Sequence, residues 1–245
     1  MNERIEKLVE KTVAGQMFVY PVKTEYDRCD LFLSPVKMSA KRVCEYIRNQ
    51  EPLVIEESCF TGLLAFDSSV EGDIFNRNGH RNFAIACKNF YNQPVDNLLT
   101  FEWQHSAGDF GKIIHGGIVG IKEIIRKSVQ NHRGDQEALE FLETQADICD
   151  ALIDWAHKCS EKARRIAETA ANESYKRNLE RLSRSLKNVP EKPAQSFYEA
   201  ILSLYVCYGL LPDSIGLIDR YLYPYYKADI ESGILTKEEA SAYLQ

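Results

Sequence analysis

The densest run of residue types able to do chemistry is the segment 102–109, which reads Glu-Trp-Gln-His-Ser-Ala-Gly-Asp. It stands where a loop enters a predicted helix, a common place for groups that bind a ligand. An imidazole such as that of His105 can hydrogen-bond or transfer a proton near neutral pH. Taken alone, however, the segment is more simply explained as an aromatic anchor, Trp103, followed by an aspartate, Asp109, that caps the helix.

The other reactive side chains do not form a motif. His157 and Cys159 are the closest histidine–cysteine pair, but two residues apart on a helix their side chains point to different faces, so no metal site is predicted. The seven cysteines are odd in number and contain no Cys-x-x-Cys pair, which predicts reduced packing thiols rather than a disulfide framework. The nucleophile-elbow, P-loop and dinucleotide-binding glycine motifs are all absent from the sequence.

Charge and hydropathy narrow the class of partner. Thirty Lys and Arg against 36 Asp and Glu leave a net charge of −6, which disfavours a nucleic-acid or anionic-membrane surface. No apolar run is long enough to span a membrane, and residues 1–13 lack the apolar centre of a secretory signal. We therefore expect a cytoplasmic protein of one domain, or two small ones, whose partners are small molecules or other proteins.

Helical periodicity covers most of the chain. Residues 135–189 contain neither Gly nor Pro and predict two helices, or one kinked helix, with a break near Asn172. Another helix is predicted over 107–131, where Gly116 and Gly120 would let a second backbone approach closely. Three further helices are predicted to start at Ser39, Ser196 and Thr236. The last two starts are capping boxes, in which Ser196 pairs with Glu199 and Thr236 with Glu239.

Strand signals are short and confined to residues 50–105. The predicted strands are Leu53–Ile55, Leu63–Phe66 and Leu98–Trp103, and the polar segment 67–81 is predicted to be a loop. The fold class expected from these patterns is mostly α with a few short strands. The tyrosine-rich segment 219–226 predicts a buried aromatic layer whose hydroxyls find partners in Asp219 or Arg220.

Three blocks, spread in order from residue 105 to residue 244, carry a family resemblance. The first consists of His105, Asp109, Phe110, Lys112, Ile113, Ile114 and Gly117. The second consists of Pro190, Pro193, Phe197, Glu199 and Ala200. The third and most specific block is the run 219–240, Asp-Arg-Tyr-Leu-Tyr-Pro-Tyr-Tyr-Lys-Ala-Asp-Ile-Glu-Ser-Gly-Ile-Leu-Thr-Lys-Glu-Glu-Ala. In these blocks the chain resembles the amino-terminal part of the glycyl radical enzymes, the pyruvate formate-lyase-like superfamily, whereas residues 1–104 match only loosely.

The resemblance implies one continuous domain, 1–245, that forms the amino-terminal part of a ten-stranded α/β barrel wrapped in helices. In the family, a glycine radical takes a hydrogen from an active-site cysteine, and the thiyl then attacks pyruvate or abstracts hydrogen from another substrate. An activating enzyme with an iron–sulfur cluster and S-adenosylmethionine generates the radical. The family's Arg-Val-Ser/Ala-Gly-Tyr/Phe and Gly-Cys-Val-Glu loops do not occur in this sequence. The chain is therefore expected to hold no catalytic residue or cofactor and to be inactive alone, while it contributes barrel wall and substrate pocket.

Within that expectation His105 is the predicted substrate-facing group, with Trp103 as pocket wall and Gln104 as hydrogen-bond donor. The implied partners are the carboxyl-terminal half or a complementary chain, the activating enzyme and a small-molecule substrate. An incomplete barrel would leave sheet edges and apolar surface uncovered, so self-association is expected and a homo-oligomer stays open. Two alternatives also remain: a non-catalytic scaffold or protein-binding module derived from the family, and an unrelated helical interaction protein.

Overall fold

The computed structural model describes residues 3–14, 18–19, 32–60, 63–64, 108–208 and 214–244. This part of the chain is mostly helical, as expected from the sequence. Its helices are α1 (Glu3–Val13), α2 (Pro35–Asn49), α3 (Phe110–Asn131), α4 (Gln136–Thr169), α5 (Glu173–Leu186), α6 (Phe197–Tyr208), α7 (Ile218–Glu231) and α8 (Lys237–Leu244).

Extended structure in the same residues is short. Strands β1 (Phe18–Val19) and β2 (Leu63–Leu64) pair in parallel, with Phe18 opposite Leu63. The predicted strand Leu53–Ile55 is not formed, because only Val54 makes an isolated bridge. The predicted strand at 98–103 and the predicted loop at 67–81 lie outside the described residues.

The long helical segment is two helices, as the sequence indicated. Helix α4 ends at Thr169, and the Asn172 side chain then caps α5 by accepting hydrogen bonds from the amides of Ser174 and Tyr175 at 2.9 and 3.1 Å. An Asn cap satisfies amides that a new first turn leaves without carbonyl partners, so it fixes the start of a separate helix.

The predicted start of α2 at Ser39 is wrong. The helix begins at Pro35, and the Ser34 hydroxyl accepts a hydrogen bond from the amide of Lys37 at 3.2 Å. Proline suits the first helical position because its ring presets φ and its missing N–H would have no helical partner there. Ser39 instead lies in the second turn and is exposed.

Helix α4 organises the core, packing against α2, α3 and α5. Trp155 on α4 and Ile47 on α2 are almost fully buried, and the α2–α4 contact is bordered by ion pairs such as Arg48–Asp154 at 2.8 Å. Helix α6 is buried on nearly every side, in accord with its apolar sequence. Among the described helices, none combines the length and apolarity needed to cross a membrane.

The two capping boxes differ in completeness. Thr236 and Glu239 form the full reciprocal pair, in which each side chain accepts the other residue's amide, at 3.2 and 2.9 Å. Ser196 accepts the amide of Glu199, but the Glu199 carboxylate turns to the amide of Gln195. The amide of Phe197, at the start of α6, is taken by the buried carboxylate of Asp229 at 2.8 Å.

Candidate functional site

The site is built around the amino end of α3, where the predicted binding segment joins the helix. Asp109 caps α3: its carboxylate accepts a hydrogen bond from the amide of Lys112 at 3.3 Å, and its other oxygen lies 3.1 Å from the Lys112 ammonium. Both contacts of the Asp109 carboxylate are therefore made within its own helix. Trp103, Gln104 and His105 lie outside the described residues, so their assignment as substrate-binding groups remains a prediction.

Aromatic rings support this end of α3. Phe110 is buried, with its ring centroid 6.2 Å from that of Tyr208 at the end of α6. The Tyr221 ring lies over Gly111, where an added Cβ would approach it to 3.1 Å. The same ring borders Gly216, which has a φ of 70° that a residue with a side chain rarely adopts. The first turn of α3 is thus held from α6 and α7 by close packing, and a side chain at Gly111 would have to displace the Tyr221 ring by a few tenths of an ångström.

Helix α3 is interrupted at Gly117, whose φ of 67° and ψ of 171° are not helical. The loop after α5 fills the interruption: the amide of Ile118 donates to the carbonyl of Pro190 at 2.8 Å, and that of Val119 to Glu191 at 3.0 Å. Both amides would otherwise bond carbonyls one turn earlier in the helix. The predicted close approach at Gly116 and Gly120 is wrong, since an added Cβ at either would meet nothing within 4 Å.

The interruption frees the carbonyl of Ile114, which takes two new donors. The amide of Ala194 reaches it at 3.0 Å and the hydroxyl of Tyr225 at 3.3 Å. The Tyr225 ring also stacks on His115 with centroids 5.6 Å apart, and its hydroxyl lies 3.0 Å from the His115 Nδ1. The Tyr225 phenol is protonated at neutral pH and can donate, and burial raises its pKa further.

These contacts correct the predicted aromatic layer. Tyr223 is 60% exposed, and Leu222 is the one buried apolar residue of the segment 219–226. Asp219 and Arg220 are both exposed, and the described partners of the Tyr225 hydroxyl come from α3 instead. The tyrosines follow a helix, α7, so they spread around its circumference rather than forming one layer.

The described cysteines fit packing roles better than nucleophilic ones. Burial raises the pKa of Cys44 to about 11 and that of Cys207 to about 12, and it raises the pKa of Cys149 and Cys159 as well. Thiols with raised pKa values are poor thiolate nucleophiles. Cys59 is half-buried and accepts a hydrogen bond from Arg4 at 2.9 Å, while Cys29 and Cys87 lie outside the described residues. No group of three or more metal-ligating His, Cys, Asp or Glu side chains occurs among the residues described.

A second cluster was not anticipated from the sequence. The Arg181 guanidinium lies 4.3 Å from the Tyr198 ring centroid and 5.1 Å from that of Tyr243, and it hydrogen-bonds the Tyr243 hydroxyl. The Tyr198 hydroxyl donates to the carbonyl of Cys59 at 2.6 Å. This cluster joins α5, α6, α8 and the segment before β2 beside an open cavity of about 1030 Å³. Cations and carboxylates are mixed in the cavity lining, so it has no clear preference for one sign of charge.

Comparison with known proteins identifies the family. The pyruvate formate lyase-like family model matches residues 96–245. The chain belongs to this family. The pyruvate formate lyase-like chain is 31% identical over 167 residues to an isethionate sulfite-lyase of Bilophila wadsworthia, covering 63% of this chain and 20% of that protein. It is 30% identical over 181 residues to a trans-4-hydroxy-L-proline dehydratase of Clostridioides difficile, covering 62% of this chain and 23% of that protein.

Solved structures share the fold of almost the whole pyruvate formate lyase-like chain. A chain whose structure was solved in work on 1,2-propanediol dehydration in Roseburia inulinivorans superposes with a TM-score of 0.76 at 23% identity. The superposition covers 99% of this chain and 36% of that one. A glycyl radical enzyme from Archaeoglobus fulgidus gives a TM-score of 0.74 at 19% identity, covering 99% and 39%. The predicted resemblance to the amino-terminal portion of a glycyl radical enzyme is confirmed. The chain spans about a fifth of the length of these curated relatives.

The three sequence blocks that carried the resemblance meet at one atom of this pyruvate formate lyase-like chain. Ile114 belongs to the first block, Ala194 directly follows Pro193 of the second, and Tyr225 belongs to the third. The Ile114 carbonyl accepts from both of the others. Residues from three distant parts of the sequence therefore position the amino half of α3.

Proposed function

We propose that this chain forms the amino-terminal wall of a glycyl radical enzyme barrel and that Trp103, Gln104 and His105 face its substrate pocket. The observation that carries the proposal is the convergence on the Ile114 carbonyl, because it holds the amino end of α3 rigidly just after those residues. A binding group is effective when the elements that support it are fixed by packing and hydrogen bonds.

The reaction class we propose is a lyase or dehydratase reaction on a small molecule. The relatives described above are named as a sulfite-lyase and a dehydratase, and a further relative at 31% identity over 126 residues is an indoleacetate decarboxylase of Tractidigestivibacter scatoligenes. These names support the lyase and dehydratase branches over formate acetyltransferase. In this proposal His105 hydrogen-bonds the substrate or transfers a proton, and Gln104 donates a hydrogen bond that orients it.

The radical residues would come from another part of the enzyme. This sequence contains neither an Arg-Val-Ser/Ala-Gly-Tyr/Phe nor a Gly-Cys-Val-Glu string. We therefore propose that turnover requires a carboxyl-terminal or complementary polypeptide, together with an activating enzyme that uses an iron–sulfur cluster and S-adenosylmethionine. The five described cysteines are free thiols, which fits assembly in a reducing cytoplasm.

The test is anaerobic activation of the product of the complete gene or gene pair, followed by electron paramagnetic resonance and turnover assays. The radical signal is expected, and His105→Ala is expected to keep that signal while kcat falls by about 100-fold, in the range for a lost acid–base group. Asp109→Asn is the matched control because Asp109 only caps α3, and it should retain turnover. An unchanged kcat in the His105→Ala enzyme would remove His105 from the pocket.

One alternative is a non-catalytic scaffold or protein-binding module derived from the family. A chain that has kept only the family scaffold would bind a partner without catalysing a reaction. Activation assays distinguish the two: a well-folded complete gene product that gives no radical and no turnover would favour the scaffold.

A further inference from the structure

The Tyr225 hydroxyl lies between two atoms that compete for its single proton. The Nδ1 atom of His115 is 3.0 Å from the hydroxyl oxygen, and the carbonyl oxygen of Ile114 is 3.3 Å from it. The His115 and Tyr225 rings are stacked, with an angle of 10° between their planes, so ring contact also holds this arrangement. A phenol has one proton and cannot donate it fully to both atoms. One of the two contacts therefore needs a proton from another group.

The Ile114 carbonyl indicates which group supplies that proton. A carbonyl oxygen only accepts, so its contact with the hydroxyl is a hydrogen bond only if the phenol proton points to it. The phenol oxygen then presents a lone pair to His115, and that contact is a hydrogen bond only if Nδ1 carries a proton. In the opposite arrangement, with the phenol proton directed to a bare Nδ1, the Ile114 oxygen would face a hydroxyl lone pair at 3.3 Å. Both contacts are satisfied only when Nδ1 is protonated.

This protonation state is not the usual one for an exposed residue such as His115. Neutral imidazole favours the Nε2 proton in water, and the partner of each nitrogen decides which one holds it in a protein. His132 requires an Nδ1 proton, because its Nδ1 lies 2.8 Å from the carbonyl of Ser128. His157 requires an Nε2 proton, because its Nε2 lies 3.2 Å from the carboxylate of Glu191. These two rings are references for the two neutral forms.

We propose that His115 is a positioning residue for the proposed substrate site and that it acts by donating its Nδ1 proton to Tyr225. This inference rests on the proposed function, since that site depends on the amino half of α3. With the donation in place, the Tyr225 hydroxyl and the amide of Ala194, at 3.0 Å, satisfy both lone pairs of the Ile114 carbonyl. Without it, the phenol proton is free to turn to Nδ1, and Ala194 is the donor that stays on this carbonyl. His115 thus acts on α3 through Tyr225.

The first test is ¹H–¹⁵N NMR of the full chain with ¹⁵N-labelled histidine at about pH 8.5, where ordinary imidazoles are neutral. The protonated and the bare nitrogen of a neutral ring have widely separated ¹⁵N shifts, and substituting each histidine in turn assigns its signals. His115 is expected to match His132 and to differ from His157. Tyr225→Phe removes the phenol oxygen, so His115 should change mainly to the Nε2–H form while the two reference rings keep theirs. A wild-type His115 in the Nε2–H form, or one that Tyr225→Phe leaves unchanged, would overturn the proposed donation.

The second test uses the activated complete enzyme and two side chains of nearly equal size. His115→Asn keeps an N–H that can reach the Tyr225 oxygen, whereas His115→Asp offers only acceptor oxygens at neutral pH. We expect the radical signal in both variants, a kcat near that of the wild type with Asn, and a kcat at least about fivefold lower with Asp, the ratio for one lost hydrogen bond. In a Tyr225→Phe background, Asn and Asp should give the same kcat, which controls for the added charge. The same kcat for both variants with Tyr225 present would overturn the positioning role.

The two tests separate this inference from the proposed function. A complete wild-type enzyme that gives neither a radical signal nor turnover contradicts the proposed function, and the positioning role is lost with it. A radical signal and turnover together with an Nε2–H form of His115 contradict the inference about His115 alone. Circular dichroism checks that each variant is folded. If the Asp variant is not, His115→Phe takes its place with the same expected fall in kcat, because it keeps a ring to stack on Tyr225 but has no N–H.

Discussion

Gly117 and Glu191 are in backbone contact: a Cβ atom added to Gly117 would lie 2.5 Å from the carbonyl oxygen of Glu191. The same glycine has a φ of 67°, which side chains disfavour, so both space and backbone conformation require glycine there. At this contact the loop after α5 packs against the interruption in α3, and its carbonyls accept the α3 amides of Ile118 and Val119. Helix α3 follows the proposed substrate-facing segment.

Replacing this glycine should therefore destabilise the chain. Gly117→Ala is expected to lower the free energy of unfolding by at least about 2 kcal/mol, because a backbone at positive φ with ψ near 180° is essentially confined to glycine and costs another residue roughly 1–3 kcal/mol, to which the overlap with Glu191 adds. The matched control is Gly120→Ala, at a helical position with nothing within 4 Å of an added Cβ. That variant should be neutral or more stable by up to about 1 kcal/mol, from the better helix propensity of alanine. Urea denaturation followed by circular dichroism measures both, and equal stabilities would contradict the described contact.

Asp229 provides a second test, at the start of the buried helix α6. Asp229→Ala leaves the amide of Phe197 without its acceptor and should cost about 1–3 kcal/mol. Asp229→Asn keeps an acceptor oxygen and should cost clearly less. If the two variants proved equally stable, the hydrogen bond to Phe197 would not be the contribution of this side chain.

The Glu57–Lys11 ion pair should make stability depend on pH. The hydrogen bond from the Lys11 ammonium lowers the pKa of Glu57 below its ordinary value of 4.5. A carboxylate with a lowered folded-state pKa stabilises the fold above pH 4.5, and that stabilisation is lost as the pH falls through the lowered value. Glu57→Gln should therefore cost at most about 1 kcal/mol at neutral pH, and the difference from wild type should vanish in acid.

The neighbouring variant Glu56→Gln is the control for this titration, because Glu56 is exposed and has no ion pair among the described residues. Its unfolding free energy should stay parallel to that of the wild type across the same pH range. A Glu57→Gln difference that persisted unchanged into acid would show that the carboxylate charge is not the cause.

Thiol labelling tests the packing role of the cysteines. Cys44, Cys149, Cys159 and Cys207 are buried, with raised pKa values, so iodoacetamide should modify them far more slowly in the native chain than in denaturant. Half-buried Cys59 should react first among the described cysteines. Peptide mapping by mass spectrometry measures each site, and rapid native labelling of Cys159 would contradict its burial.

The sequence predicts well whatever depends on neighbours a few residues apart. Asp109 caps α3 and Thr236 pairs with Glu239 because both interactions close within one helical turn. The break near Asn172 is equally local. Such signals place most helices, although at α2 two start signals compete, and the structure uses Ser34 followed by Pro35 rather than Ser39.

Contacts between distant segments could not be predicted in this way. Nothing near Gly117 in the sequence distinguishes it from Gly116 and Gly120, because its role is set by Glu191 and Lys192 across the fold. The partners of Tyr225 likewise come from α3 and not from Asp219 or Arg220. Gly117 and Pro190 belong to two separate blocks of the family resemblance, and nothing in either block indicates that the two segments meet.

This chain is the amino-terminal part of a glycyl radical enzyme, and the sequence of the coding DNA beyond codon 245 tests that assignment best. We expect the same frame, or an adjacent frame or gene, to encode a Gly-Cys-Val-Glu loop followed by an Arg-Val-Ser/Ala-Gly-Tyr/Phe loop. A stop codon with no neighbouring frame or gene that supplies those loops would contradict it and leave the non-catalytic scaffold.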